Sequence, residues 1–251
     1  VGLLTLVLLL LVIFVWREVR VKEPLIRLAL LRLRPLAAAN LISLLVPGTY
    51  VAMLFLLTLY MQKVLAYSAL LTGVALIPLE LALALTINLV PHLISRVGIK
   101  PILVMAMIAM AGGLLLLLRI TPEENYPGTV LPALLVVGVG IGALFNVIGI
   151  AATSGVPNAE QGVAVGLMSA TQQMGNGLVL AVIVSISQAR QASIQAQGSA
   201  LPLALVEGFH SACLAAAGVV GIALLTALMV MGQQDRPMMV FRQGNHEPLE
   251  Q

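Results

Sequence analysis

Apolar residues run along this chain in blocks of about membrane-crossing length, and polar residues gather in the gaps between them. A helix needs about 20 residues to cross the hydrocarbon core of a bilayer. Six blocks approach or exceed that length: 36–61, 69–91, 101–118, 130–152, 162–187 and 208–231. A seventh apolar run, Val1 to Trp16, is only 16 residues long and ends in Trp16-Arg17-Glu18. An interfacial aromatic followed by charge reads as the exit of a span, whereas a signal peptide would show a basic leader and a small-residue cleavage site. The expectation is the end of a truncated transmembrane helix at 1–16, with more protein upstream. A basic loop or interfacial helix follows at 17–35, then a six-helix bundle at 36–231 and a polar tail at 232–251. The fold class is all-α integral membrane.

Composition agrees with lipid as the main solvent and partner. Charged residues are 9% of the chain, against about 25% in soluble domains. Their placement gives an orientation. Strict alternation groups 17–35, 92–100, 153–161 and the tail on one side. That side holds Arg17, Arg20, Lys22, Arg27, Arg32, Arg34, Arg96, Lys100, Arg236 and Arg242. The other side holds Lys63, Arg119 and Arg190. The positive-inside rule makes the first side cytoplasmic and puts the C-terminus with it, in a multi-pass protein of the cell membrane. The basic 17–34 stretch is interleaved with Leu and Ile between two spans, which fits anionic lipid and not nucleic acid.

The six full spans divide into two sets of three with weak internal similarity. Val46-Pro47-Gly48 … Leu54-Phe55 is matched by Val136-Val137-Gly138 … Leu144-Phe145, and Gly73-Val74-Ala75 by Gly162-Val163-Ala164. Three-helix repeats are inverted with respect to one another, a plan of secondary transporters whose binding site lies near the midplane. Gly138 and Gly142 on one span, and Gly162, Gly166 and Gly177 on the next, are candidate packing positions. Small residues at such spacings let helix backbones approach in lipid.

Glu80 is the one carboxylate deep within a span. An ionised acid there costs about 3 kcal/mol on insertion scales, and no Lys or Arg lies at comparable depth. Gly73, Ala84 and Asn88 share its helical face. Desolvation disfavours the charged form of such a group, so Glu80 is a candidate to take up and release a proton, with a hydrogen-bonded structural role as the alternative. Asn40, Ser43, Tyr50, Asn88, Asn146, Gln172 and Asn176 are candidates for a cavity wall or for interhelical hydrogen bonds. Pro47-Gly48 and Pro78 are expected to interrupt their helices.

An intramembrane enzyme fits poorly. Ser169, Ser185 and Ser187 share mid-membrane depth with no His or Asp, and neither His-Glu-x-x-His nor Gly-x-Ser-x-Gly occurs. Cys213 is the single cysteine, and His92, His210 and His246 are scattered. No metal site or cofactor is expected.

Four patches resemble the C-terminal half of the fourteen-helix drug:proton antiporters of the major facilitator superfamily. They are Arg17-Glu18 … Glu23-Pro24-Leu25-Ile26; Leu54-Phe55 … Tyr60-Met61-Gln62-Lys63-Val64-Leu65-Ala66-Tyr67-Ser68 … Thr72-Gly73 … Ile77-Pro78; Glu160-Gln161-Gly162-Val163-Ala164 … Gly175; and Glu207-Gly208-Phe209. Ala66 stands where the family pattern has Gly, Pro91 and Ser95 where its basic loop often has Gly and Asp, and Gln172 near a frequent Arg. The resemblance implies two inverted three-helix repeats preceded by part of a linker helix. It also implies proton-driven export of small amphipathic molecules, and an N-terminal half of the same transporter as partner. A symporter or metabolite exporter of the same superfamily is the alternative.

Overall fold

The computed structural model describes residues 34–123, 126–153 and 156–231. The expected helix end at 1–16, most of the basic loop at 17–35 and the tail at 232–251 lie outside the described residues. Six helices follow in order: α1 Arg34–Lys63, α2 Ala69–Val97, α3 Ile99–Leu116, α4 Val130–Thr153, α5 Gln161–Ala196 and α6 Leu201–Met231. All six are long and apolar enough to cross a membrane, and the chain is a multi-pass membrane protein.

Several helices exceed the apolar blocks that announce them. α2 continues through Pro91 to Val97, and only Gly98, at φ 87°, separates it from α3. The basic stretch 92–100 is therefore largely helical and not a loop. Charge marks the membrane surface, not the helix end, and Arg96 in the last turn suits the negative end of the helix dipole. α5 runs on through Gln188, Ala189, Arg190 and Gln191, which are good helix formers in water as in lipid. α6 starts at Leu201, seven residues before its expected apolar block. Pro47 and Pro78 lie inside continuous helices and break neither. An open backbone in hydrocarbon leaves several polar groups unmet, whereas a proline inside a helix leaves one.

The packing shows two interlocked three-helix repeats, α1–α3 and α4–α6. The second helix of each repeat packs on the first helix of the other: α5 on α1, and α2 on α4. The third helices do likewise, α3 against α4 and α6 against α1. Both first-to-second pairs run parallel. Along α1 and α5, Asn40 meets Thr171, Leu44 meets Gly175, and Gly48 meets Gly175 and Val179. Along α2 and α4, Leu79 meets Gly138, Leu83 meets Gly142, and Ile87 meets Asn146.

These registers depend on missing side chains. A Cβ on Gly48 would stand 2.5 Å from the Gly175 carbonyl oxygen, and one on Gly175 would overlap the Leu44 carbonyl. A Cβ on Gly138 would stand 2.5 Å from the Leu79 oxygen, and one on Gly142 2.6 Å from that of Leu83. Gly140 points the other way, 2.7 Å from Met110 N by the same measure, so α4 admits α2 on one face and α3 on another. Gly48 and Gly138 thus hold matching places in the two repeats. Gly73 and Gly162 do not: both have open space around them, and the matching positions on the second helices are Leu79 and Gly175. Gly166 and Gly177 are likewise open, as is Gly112 on α3.

Polar atoms mend the backbone where proline interrupts it. Pro91 has no N–H, so the Ile87 carbonyl four residues earlier has no donor in its own helix. The Asn146 side-chain amide of α4 donates to that oxygen at 2.9 Å. At the end bearing the 64–68 turn, the 117–129 connection is pinned to three helices. Tyr60 of α1 donates to Thr121 O, His210 of α6 bonds Ile120 O, and Tyr126 donates to Ala75 O of α2. Burial, and secondarily Tyr67, push the Tyr126 phenol above its ordinary range, which keeps it a donor into alkaline solution. In the 64–68 turn Ala66 adopts φ 55°, a left-handed conformation that costs an L-residue roughly 1–2 kcal/mol. The family pattern's Gly at this place has that physical reason.

Three outcomes follow for the protein in bilayer or detergent. Gly175→Ala lowers the thermal midpoint through about 1–3 kcal/mol of overpacking, whereas Gly112→Ala, facing open space, leaves it unchanged or higher. Asn146→Leu destabilises by about 1–3 kcal/mol, and Pro91→Ala added to it restores most of the loss by returning an N–H to Ile87 O; equal losses in the single and double variants refute the pairing. Ala66→Gly raises stability by about 1 kcal/mol, read from the same melts.

Candidate functional site

α4 and α1 are the most enclosed helices, and α2 and α5 the least. α2 has three distinct faces. Thr72, Ala75, Leu79, Ala82, Thr86 and Val90 are buried in the bundle. Leu70, Val74, Leu81, Leu85 and Leu89 form an exposed face suited to lipid. Gly73, Ile77, Glu80, Ala84 and Asn88 form another exposed face, about a quarter-turn away at 100° per residue. Leucine belongs in contact with acyl chains; a carboxyl does not. The sequence therefore separates a leucine-rich side of α2 from a side that carries a carboxyl and an amide.

Glu80 lies near the middle of that second exposed face, with Gly73 and Ala84 on either side. Its carboxyl is not alone: the Tyr50 hydroxyl of α1 donates to Glu80 Oε1 at 2.7 Å. Tyr50 itself is 9% exposed, its ring held in the core and its oxygen turned toward α2. The sequence places both residues among its candidates but does not join them. Thirty residues separate them, and nothing in either helix's periodicity selects the partner.

The other polar candidates fall into separate places. Asn40 is buried where α1 crosses α5, and its Oδ1 accepts from Thr171 Oγ1 at 3.0 Å. The same Thr171 hydroxyl also lies 2.9 Å from Leu167 O in its own helix and shares its single proton between the two acceptors, a habit of threonine in helices that hides its interhelical role from sequence reading. Ser43, one turn on from Asn40, is 1% exposed, and its hydroxyl has no hydrogen-bond partner. Across the same crossing, Asn176 gives its amide to Gln173 Oε1 at 2.9 Å, while its own Oδ1 is buried without a partner. Gln172 is half-buried on α5. Asn88 is exposed and bonds Ala84 O in its own helix. Asn146 is committed to Ile87 O, with a longer bond to Gly142 O at 3.4 Å.

The structure thus gathers Asn40, Ser43 and Asn176 at the α1–α5 crossing, and Tyr50 with Glu80 at the α1–α2 seam. Asn88 sits further along α2, and Asn146 reaches that stretch of α2 from α4, at Ile87 O. In the α1–α5 group the Ser43 hydroxyl and the Asn176 oxygen are the polar atoms without a partner. Glu80 adds the one ionisable carboxyl. Among the described residues, no three His, Cys, Asp or Glu side chains gather as a metal site would require. Cys213 is buried on α6. Near the far end of α5, Arg190 pairs with Glu207 of α6 at 2.9 Å; both side chains are partly exposed, so the pair adds little to stability.

Comparison with known proteins adds a family to this geometry. The family model of the Major Facilitator Superfamily matches residues 1–180. The puromycin resistance protein pur8 of Streptomyces alboniger is 34% identical over 91% of this chain and 46% of its own length. The multidrug resistance protein Stp of Mycobacterium tuberculosis is 33% identical over 69% of this chain and 32% of its own. The cephamycin export protein CmcT of Amycolatopsis lactamdurans is 32% identical over 66% of this chain and 34% of its own. The chain spans half or less of the length of these relatives. With six spanning helices in two interlocked repeats beneath a family model that covers most of its length, the chain belongs to the Major Facilitator Superfamily.

Proposed function

We propose that this chain is the C-terminal bundle of a proton-coupled transporter that exports drugs or other small amphipathic molecules by alternating access. The observation that carries the reading is Glu80, a lone carboxyl at mid-helix on the exposed small-residue face of α2. Relatives whose names speak of drug resistance and antibiotic export support the substrate class.

In this reading the small-residue faces of α2 and α5 meet a second bundle, and the cavity forms between the two. Glu80 binds a proton when the cavity opens to one side and releases it when the cavity opens to the other. Asn40, Ser43 and Asn176, with Gln172 nearby, stand on the α1–α5 wall, where the Ser43 hydroxyl and the Asn176 oxygen offer hydrogen bonds to a guest. Gly162, Gly166 and Gly177 lie open on α5, and their lack of side chains leaves room for the second bundle to approach and slide. The charge distribution of the sequence puts Gly98 and the C-terminal end of α6 on the cytoplasmic side.

The test is transport by the full-length protein in energised vesicles. Glu80→Gln keeps the side-chain shape and removes the titrating group. Expected is membrane insertion at the native level with loss of proton-gradient-driven export of a fluorescent cation such as ethidium. Export at the native rate by that variant overturns the assignment.

A further inference from the structure

Within the first repeat α1 and α2 scarcely pack on one another, because each is engaged by a helix of the other repeat. Across this seam runs the hydrogen bond from Tyr50 to Glu80 Oε1. We infer that Tyr50 is a positioning residue through which the protonation state of Glu80 reaches α1: the bond draws the two helices together when the carboxylate is charged and slackens when it is neutral. The inference rests on the proposed reading of Glu80 as the proton-exchanging group, and deepens it by naming the element that responds.

The chemistry gives the sign. A hydrogen bond to an ionised acceptor is roughly twice as strong as one to a neutral acceptor. Tyr50 occupies Oε1, so the incoming proton goes to Oε2. Tyr50 keeps its own proton throughout and donates in both states; only the strength of the bond changes.

The mechanical setting favours a response in α1. Tyr50 stands three residues after Pro47, whose missing N–H leaves the Ser43 carbonyl without its helical donor. Helices bend most readily where that ladder is interrupted. Beside the proline, Gly48 rests on the Gly175 backbone, a close contact about which the rest of α1 can turn. A pull on Tyr50 therefore acts just beyond the weakest point of its helix, next to a fulcrum.

Other charges lie far from Glu80 among the described residues. On α2 itself, His92 and Arg96 are about 18 and 24 Å further along the axis at 1.5 Å per residue. α4, on which α2 packs, carries no titratable side chain. Lys100, near the start of α3, lies at the same distant end as Arg96. On α1, Tyr60 and Lys63 are roughly 15–20 Å beyond Tyr50. Tyr126 reaches α2 at Ala75 O, five residues before Glu80 and on the buried face of the helix, so Tyr50 is the ionisable group that bonds Glu80 itself.

The experiment uses the full-length transporter in nanodiscs, in a cysteine-free background, with spin labels at Ala37→Cys on α1 and Val97→Cys on α2. The label separation is measured by pulsed electron paramagnetic resonance at acid and alkaline pH. Expected is a pH-dependent shift in the native protein, lost in Glu80→Gln with the separation held near its acid value, and lost also in Tyr50→Phe, which keeps the ring and its packing. Loss of the shift in Glu80→Gln with persistence in Tyr50→Phe overturns the role of Tyr50 alone. Persistence in both variants removes the titrating role of Glu80 as well, and absence of any shift in the native protein overturns the coupling. In vesicles, Tyr50→Phe lowers the saturating rate of ethidium export about tenfold with an unchanged half-saturation concentration. A raised half-saturation with an unchanged maximal rate makes Tyr50 a substrate contact instead, and the inference fails.

Discussion

Helices in lipid gain little from hiding apolar surface, since the acyl chains around them are equally apolar. What remains is close contact between backbones, and this bundle obtains it at a few positions without side chains. Gly48 against Gly175 sets α1 on α5, while Gly138 and Gly142 set α2 on α4. Each crossing fixes a register, and each register decides which polar groups meet. The first brings Asn40 to Thr171; the second carries Asn146 to the Ile87 carbonyl. Because α4 grips α2 along one side only, the opposite side, with Glu80 on it, stays free of the bundle core.

Buried polar groups in this bundle differ in whether the protein itself satisfies them. Asn146 has a backbone debt to settle at Pro91 and settles it. Tyr126, Tyr60 and His210 hold a connection against three helices. Ser43 and the Asn176 oxygen, by contrast, are buried with no hydrogen-bond partner, an uncommon state for a polar group in a folded protein. Tyr50 stands between these cases, packed like a core residue and bonded to the carboxyl that the core leaves outside.

Much of the fold was legible in the sequence because the bilayer imposes a length on every apolar block. The six spanning helices of the described residues emerge from that constraint, and Gly48 with Gly138 were visible as a repeated pair. Helix ends were not. The surface of the membrane stops apolar residues, but it does not stop a helix, so Arg96 and Gln191 continue α2 and α5 where a loop was expected. Glu80 stood out because a carboxyl in hydrocarbon is costly. Its partner did not, since hydrogen bonds between helices depend on crossing geometry that periodicity does not encode. Asn146 had a signal in principle, a proline four residues after Ile87 that leaves a carbonyl in need, but the sequence does not say which asparagine arrives.

The interlocking of the repeats has a consequence for biosynthesis. Asn40 and Thr171 meet across 131 residues of chain. At typical synthesis rates of 5–20 residues per second, roughly ten seconds pass between the emergence of the two. During that interval α1 stands in or beside the translocon with its glycine notch empty, and α2 waits a shorter time for α4. The first three helices cannot mature as a finished unit and then receive the next three. Both repeats must be threaded into the membrane before either acquires most of its native neighbours, so the cell's insertion machinery has to shelter a half-made protein whose main contacts lie with segments not yet translated.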